Sequence, residues 1–397
     1  MYHISQRIQN LSEPEMALMS QRSSELKAQG KDVINLSLGE PDFSTPEHIK
    51  EAAIEAVKHN FSHYPPIGGY PVLKQAIADK LKRENGLTFE ASQIVISNGA
   101  KQALANVILS LVSPGEEVII PTPYWATYIE MVKLAQGESV IVKTSFEQNY
   151  KMTALQLEEA ITPQTRVLLL NSPSNPSGVV YNKDELMELA SVLQRYPQVT
   201  VVSDEIYELI SFGGCHSSIA GLPGMKNRVV IINGVSKGYA MTGWRIGFSA
   251  STTDIAKACV KIQSQYTSGA CSISQMAALA AYRGPLDSSF VMRDAFKRRR
   301  NLVLKKASRI PGFRVVKPEG AFYLFPDVSY YFGRSDGQVE IHNAKDLSMY
   351  LLDKAMVATV AGDAFGEPAC LRISYAASED QLAMAMDRIK VVLEGLS

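Results

Sequence analysis

Val167-Leu168-Leu169-Leu170-Asn171-Ser172-Pro173-Ser174-Asn175-Pro176-Ser177-Gly178 runs from an unbroken apolar segment straight into a turn. A helical pattern over Asp184–Tyr196 follows, then a second apolar run, Thr200–Val202, which ends at Ser203-Asp204. Neither run alternates apolar with polar residues, which is the pattern of strands buried on both faces. A strand, a helix and a second strand of this kind point to parallel strands with helices covering both sides of the sheet. Asn-Pro and Ser-Gly are turn formers, so Asn171–Gly178 reads first as a loop beyond a strand end.

The same texture extends outward from about Thr45 to Arg283. Strand-like runs occur at Ile94–Ile96, Val118–Ile120, Ser139–Val142, Val229–Ile232 and Ile246–Ser249. Thr45 reads as a helix N-cap with Pro46 at the first helical position. The helix after Pro71 sets Leu73, Ile77 and Leu81 on one stripe and stops at Asn85-Gly86. Beyond about Gly284 the pattern changes. A long helix over about Asp287–Ile310 leads to strand candidates Phe313–Val316 and Ala321–Phe325, then a helix over Ala344–Ala355. Strand candidates Val357–Val360 and Leu371–Tyr375 and a last helix, Glu379–Leu396, close the chain. With 397 residues, two domains are expected. We read a large α/β domain over 46–284 with a mostly parallel, doubly covered sheet. A smaller α+β domain spans 285–397, and 1–45 forms an N-terminal arm that belongs partly to it.

Composition narrows the function classes. Lys plus Arg and Asp plus Glu each number 40, so the net charge is zero and no overall field draws in nucleic acid or an anionic membrane. The basic run Lys297-Arg298-Arg299-Arg300 reads as a solvated helix face. Cys215, Cys259, Cys271 and Cys370 are scattered, without metal-ligand spacing. They are expected to be reduced thiols of a cytoplasmic protein, with no metal site. Met1–Met16 lacks the apolar core of a signal peptide, and runs such as Val107–Val112 are too short to span a bilayer.

The most informative chemistry lies in Gly234-Val235-Ser236-Lys237-Gly238-Tyr239-Ala240-Met241-Thr242-Gly243-Trp244-Arg245-Ile246-Gly247. It places a lysine just past a strand end, where ligands of open α/β sheets bind, and an arginine, Arg245, follows further along the same stretch. A shielded lysine can act as an amine nucleophile, and an arginine fork suits a phosphate. A lone Lys–Arg pair would be an ordinary loop, but the whole stretch resembles the active-site signature of class I aminotransferases, fold type I pyridoxal-phosphate (PLP) enzymes. Among these the chain is most similar to the bacterial aspartate and aromatic aminotransferase-like subgroup.

The resemblance implies that Lys237 carries PLP as a Schiff base, with Ser236 beside it, and that Arg245 grips the phosphate. Other segments match in order. Gly39-Glu40-Pro41-Asp42-Phe43 resembles the substrate loop, and the Gly39 N–H would meet the α-carboxylate. Gly99-Ala100-Lys101, opening a helix, would hold the phosphate on backbone N–H groups. Trp125 would stack on the pyridine ring. Asn175, in a loop where Ser177 replaces the usual threonine, would approach the ring oxygen and the substrate carboxylate. Asp204 would pair with the pyridine nitrogen, and Tyr207 with the ring oxygen. Taken alone, Asp204 reads equally as a helix N-cap. Arg372, in Leu371-Arg372-Ile373-Ser374, would bind the α-carboxylate. Tyr64 would reach the partner's PLP phosphate across a homodimer interface, a role that Tyr70 fits less well.

The implied reaction moves an amino group from an L-amino acid to a 2-oxo acid such as 2-oxoglutarate, in two half-reactions on the cofactor. Lys101 would bind a distal carboxylate, which makes aspartate the first choice of donor. Aromatic or other neutral amino acids come next, because Pro14-Glu15-Met16 stands where aspartate-specific relatives carry small hydroxyl residues. Ala361 stands where relatives often have proline, and Gly234 where some have a phosphate-binding serine. These departures are expected to alter the loop to Phe365-Gly366 and to remove one phosphate hydrogen bond. A PLP-dependent β-lyase on the same scaffold is the alternative.

Overall fold

The computed structural model describes residues 3–12, 15–214 and 216–397, with only the backbone given for 15–18. Pro14, the side chains of Glu15 and Met16, and Cys215 lie outside the described residues. Seven strands form one sheet. In chain order they are β1 (Ile94–Asn98), β2 (Glu117–Pro121), β3 (Glu138–Val142), β4 (Thr165–Asn171), β5 (Thr200–Asp204), β6 (Val229–Gly234) and β7 (Ile246–Ala250). Their spatial order is β1-β7-β6-β5-β4-β2-β3. All neighbours are parallel except β7, which runs antiparallel to both β1 and β6.

The expected double cover follows from strand alternation. Ile94, Ile96, Leu168, Leu170, Val201 and Ile231 face one core, packed by helices Pro71–Asn85, Lys183–Arg195 and Ser272–Arg283. Val95, Val167, Leu169, Val202, Val230 and Ile232 face the other, packed by helices Gly99–Leu111 and Thr253–Tyr266. The smaller domain has its own core around helices Asp287–Ala307, Ala344–Ala355 and Glu379–Leu393. Its three-stranded sheet has Leu371–Ser374 at the centre, flanked by Tyr323–Leu324 and Val360–Ala361. The N-terminal arm contributes Ile34 and Leu36 to this core, and Ile34–Asn35 pairs in parallel with Val357–Ala358. No helix among the described residues is long and apolar enough to cross a membrane.

Several expectations are corrected. Val357–Val360 is not one strand: Val357–Ala358 joins the arm, whereas Val360–Ala361 joins Leu371–Arg372. Phe313–Val316 contributes only a bridge between Arg314 and Asp327. No helix follows Asp204, so the residue caps none; its Oδ1 accepts from Ile206 N in a turn. Thr45 does not cap a helix either. The helix spans Glu47–Lys58, and the Thr45 hydroxyl bonds Ala240 O and Trp244 Nε1 instead.

The basic run is only half solvated. Arg299 and Arg300 are 8% and 6% exposed, because the helical period brings them onto the face that also carries Phe296 and Val303. Arg299 makes a bidentate pair with Asp42, at 2.6 and 2.9 Å, which ties this helix to the Gly39–Phe43 loop. Asp42 keeps 32% of its side chain exposed. Asp42→Ala is therefore expected to cost about 2 kcal/mol, between a surface pair and a fully buried one. Urea unfolding of the two proteins would measure the difference.

Candidate active site

A cavity of about 340 Å³ opens beyond the carboxyl ends of β4, β5 and β6. Asn171 ends β4, Asp204 ends β5, and Ser236 and Lys237 follow β6, so three neighbouring strand ends deliver polar groups to one space. Gly39, Ala100, Lys101, Trp125, Asn175, Tyr207, Arg245 and Arg372 also line it. Gly99 lies directly behind, since a Cβ there would sit 2.4 Å from Arg245 Nη2. Tyr64, by contrast, is 92% exposed and does not line the cavity.

Lys237 Nζ donates to the carbonyl oxygen of Gly39. Burial pushes its pKa down to about 8, with Arg372 and Arg245 adding repulsion and Glu40 and Asp204 opposing it. Asp204 is 4% exposed and accepts from the Tyr128 hydroxyl at 2.8 Å. Burial raises its pKa to about 6, while the bonds from Tyr128 and Ile206 hold it down. Burial and the nearby Arg245 lower the pKa of Lys101, whose Nζ lies 5.0 Å from the Trp125 ring centroid.

At the other end, backbone crowds against backbone. A Cβ on Gly247 would sit 2.1 Å from Ala100 N, so only glycine lets β7 pass beside the start of helix Gly99–Leu111. The first-turn N–H groups of that helix have no intrahelical partners, and Ala100 and Lys101 face the cavity. A Cβ on Gly234 would meet Ile246 O at 2.7 Å and Gly247 Cα at 2.8 Å. The close pairing of β6 and β7 therefore demands glycine there, and a serine would have to displace β7. Ala361 has φ −63°, the value proline fixes, and the turn Gly362–Phe365 closes onto Gly366 at φ 75°. The expected alteration of that loop is not required by its backbone.

The opposite wall is built on Arg372, which is fully buried. Its Nη1 donates to Asn175 Oδ1 at 3.0 Å and its Nη2 to Ser37 O at 2.6 Å, while Nε is buried without a partner. The guanidinium lies over the Tyr323 ring at 4.6 Å. The Tyr323 hydroxyl is 2.8 Å from that of Tyr207, and a Cβ on Gly39 would sit 2.7 Å from it. Gly39 is therefore bare because Tyr323 fills the space, a constraint from a residue far away in sequence.

Sequence reasoning missed Tyr323, Tyr128, Asn171 and Thr242 as lining residues. Asn171 carried a signal, an Asx residue at a strand end. Its Oδ1 accepts from Asn175 N at 2.7 Å and its Nδ2 donates to Asp204 O at 3.0 Å, which fixes the loop to the next strand.

The sequence profile of the family described as "Aminotransferase class I and II" matches residues 31–389. The chain belongs to the class I and II aminotransferases. It is 43% identical over 394 residues to an aspartate/prephenate aminotransferase of Nitrosomonas europaea, covering 98% of this chain and 99% of that one. The aspartate aminotransferase of Rhizobium meliloti superposes with a TM-score of 0.97 at 42% identity over the whole of both chains. That of Thermus thermophilus with maleate gives 0.92 at 36% identity over 99% of this chain and 100% of that one. Class I aminotransferases use PLP, and the donor set fits it. The cavity offers a part-buried amine of lowered pKa, a helix start cradled by glycine, an arginine beside it and a buried carboxylate across from them.

Proposed function

We propose that this aminotransferase takes the amino group of L-aspartate, with 2-oxo acids of the prephenate and aromatic type among its acceptors. One observation carries the reading. The cavity is lined by four cationic side chains, Lys101, Lys237, Arg245 and Arg372, against the single carboxylate of Asp204. The cofactor's phosphate brings about two negative charges at neutral pH. With Lys237 and Arg245 given to the cofactor, Arg372 and Lys101 remain, one cation for each carboxylate of a dicarboxylate, and a neutral amino acid would leave Lys101 without a counter-charge. The similarity to an aspartate/prephenate aminotransferase, and to an aspartate aminotransferase with the dicarboxylate maleate, supports the same choice.

Bound PLP supplies an aldehyde that links to an amine and a ring that takes up electron density. In this reading Lys237 Nζ would make the covalent link and, as a free amine, would take the Cα proton; its lowered pKa suits it to both roles. Asp204 would pair with the ring nitrogen, Tyr207 and Asn175 with the ring oxygen, and Trp125 would stack on the ring. Arg245, Ser236 and the helix start at Gly99, Ala100 and Lys101 would hold the phosphate. Arg372, Asn175 and Gly39 take the α-carboxylate, with the unpaired Arg372 Nε as one free donor. Lys101 serves the distal carboxylate.

We further propose a homodimer, in which the exposed Tyr64 gains a role at the partner's phosphate. Domain limits of 46–284 and 285–397 with an arm over 1–45, and a cytoplasmic location consistent with free Cys259, Cys271 and Cys370, complete the reading. A screen following the cofactor's absorbance with aspartate, glutamate, phenylalanine, tyrosine, kynurenine and alanine tests the substrate. Aspartate should react fastest, and a chain indifferent to aspartate would refute it. Ammonia release in place of the aminated cofactor would favour the β-lyase alternative. Lys101→Ala should raise KM for aspartate about tenfold, the size of a lost charge-assisted hydrogen bond, and leave KM for phenylalanine within about twofold.

A further inference from the structure

Two loops that are distant in sequence, 39–45 and 237–245, lie together at the cavity. Side chains stitch them at several points. Lys237 Nζ reaches Gly39 O, and the Thr242 hydroxyl donates to Glu40 Oε2 at 3.0 Å. The Thr45 hydroxyl donates to Ala240 O at 2.8 Å and accepts from Trp244 Nε1 at 3.0 Å. Thr45 thus bridges two points of the same lysine loop.

Those two points flank strained backbone. Ala240 has φ 51° and Arg245 φ 58°, the left-handed region that side-chain-bearing residues avoid at a cost of about 1–2 kcal/mol each. The surroundings must hold such residues in place. Thr45 fixes the carbonyl of the first and the indole just before the second. Between them, the Thr242 carbonyl accepts from Arg245 Nη1 at 2.7 Å, which aims the guanidinium at the start of helix Gly99–Leu111.

We propose that Thr45 is a positioning residue for Arg245: its hydroxyl clamps the loop 240–245 so that the guanidinium stands ready at the phosphate end of the cavity. This rests on the proposed phosphate role of Arg245. Valine has nearly the shape of threonine but neither gives nor takes a hydrogen bond, whereas serine keeps the hydroxyl.

The test uses cofactor-free full-length protein, titrated with PLP and separately with pyridoxal, which lacks the phosphate. Thr45→Val should weaken PLP binding about tenfold, equivalent to about 1.4 kcal/mol, and leave pyridoxal binding within about twofold. Thr45→Ser should restore PLP affinity to within about threefold of wild type. Unchanged PLP affinity in Thr45→Val overturns the proposal, as does an equal loss for both ligands, which would mean general damage to the pocket. If Thr45→Val does not fold, Trp244→Phe removes the other half of the clamp. A selective loss of PLP affinity there supports the proposal, and wild-type affinity refutes it. Failure of the wild-type chain to bind PLP would instead strike at the cofactor assignment itself.

Discussion

Lys237→Ala should bind PLP yet transfer no amino group, with kcat lowered by at least about 10⁴-fold. The loss is large because one atom is asked to do two things. Nζ must be a nucleophile toward the cofactor aldehyde, and later a base toward the substrate Cα. An ordinary lysine is almost wholly protonated at neutral pH and does neither well. Here burial and two arginines bring the pKa to about 8, so that about a tenth of the molecules hold the neutral amine at pH 7. No neighbour can substitute. Lys101 sits over Trp125, and a guanidinium does not serve as a base. Retained cofactor binding follows from the phosphate end, which the substitution leaves intact. Stopped-flow absorbance with aspartate measures the half-reaction. Borohydride reduction of wild-type holoprotein and peptide mapping should find the pyridoxyl group on residue 237. Turnover near wild type in the variant, or an adduct elsewhere, would remove the basis of the assignment.

What the sequence made legible follows the range of the interaction concerned. Val167–Leu170, Thr200–Val202 and Val229–Ile232 announce buried parallel strands because burial on both faces is written into the run itself. The strand-end residues Asn175, Asp204 and Lys237 were found because each lies within a few positions of its strand. Long-range pairing leaves no such trace. Thr45 looks like a cap, and only the fold brings it to Ala240, 195 residues away. Arg299 and Arg300 look solvated because the sequence does not reveal that Asp42 and Phe212 cover that helix face. Tyr323 has no motif of its own, and its part in keeping Gly39 bare emerges only where two elements meet. Gly234 carries a second constraint that the sequence hides, because the adjacent strand leaves no room for a Cβ there.

Asp204→Asn should lower kcat by about 10²–10⁴-fold while making the cofactor-free protein more stable at neutral pH, by roughly 1–3 kcal/mol. Both effects follow from one buried carboxyl. Its folded pKa is raised to about 6, above the unfolded value near 3.8, because burial penalises the charge. Between those values the folded chain binds the extra proton, so stability falls as pH rises through that window. Above it the full penalty is in force, and a neutral amide escapes it. Below pH 3.8 both proteins are uncharged at this position, and the difference should vanish. Denaturation at pH 7 and at pH 4, where most of the difference should be gone, separates this from any loss of the Tyr128 bond, which would not depend on pH in this way. In the working enzyme the same charge is an asset. A carboxylate held in a low-dielectric site would bind a protonated ring nitrogen strongly and keep it protonated. Asparagine cannot hold that proton. On this reading the chain would accept a standing cost in its cofactor-free state for a charge that the cofactor would compensate. A variant equally active and no more stable would show that Asp204 does neither.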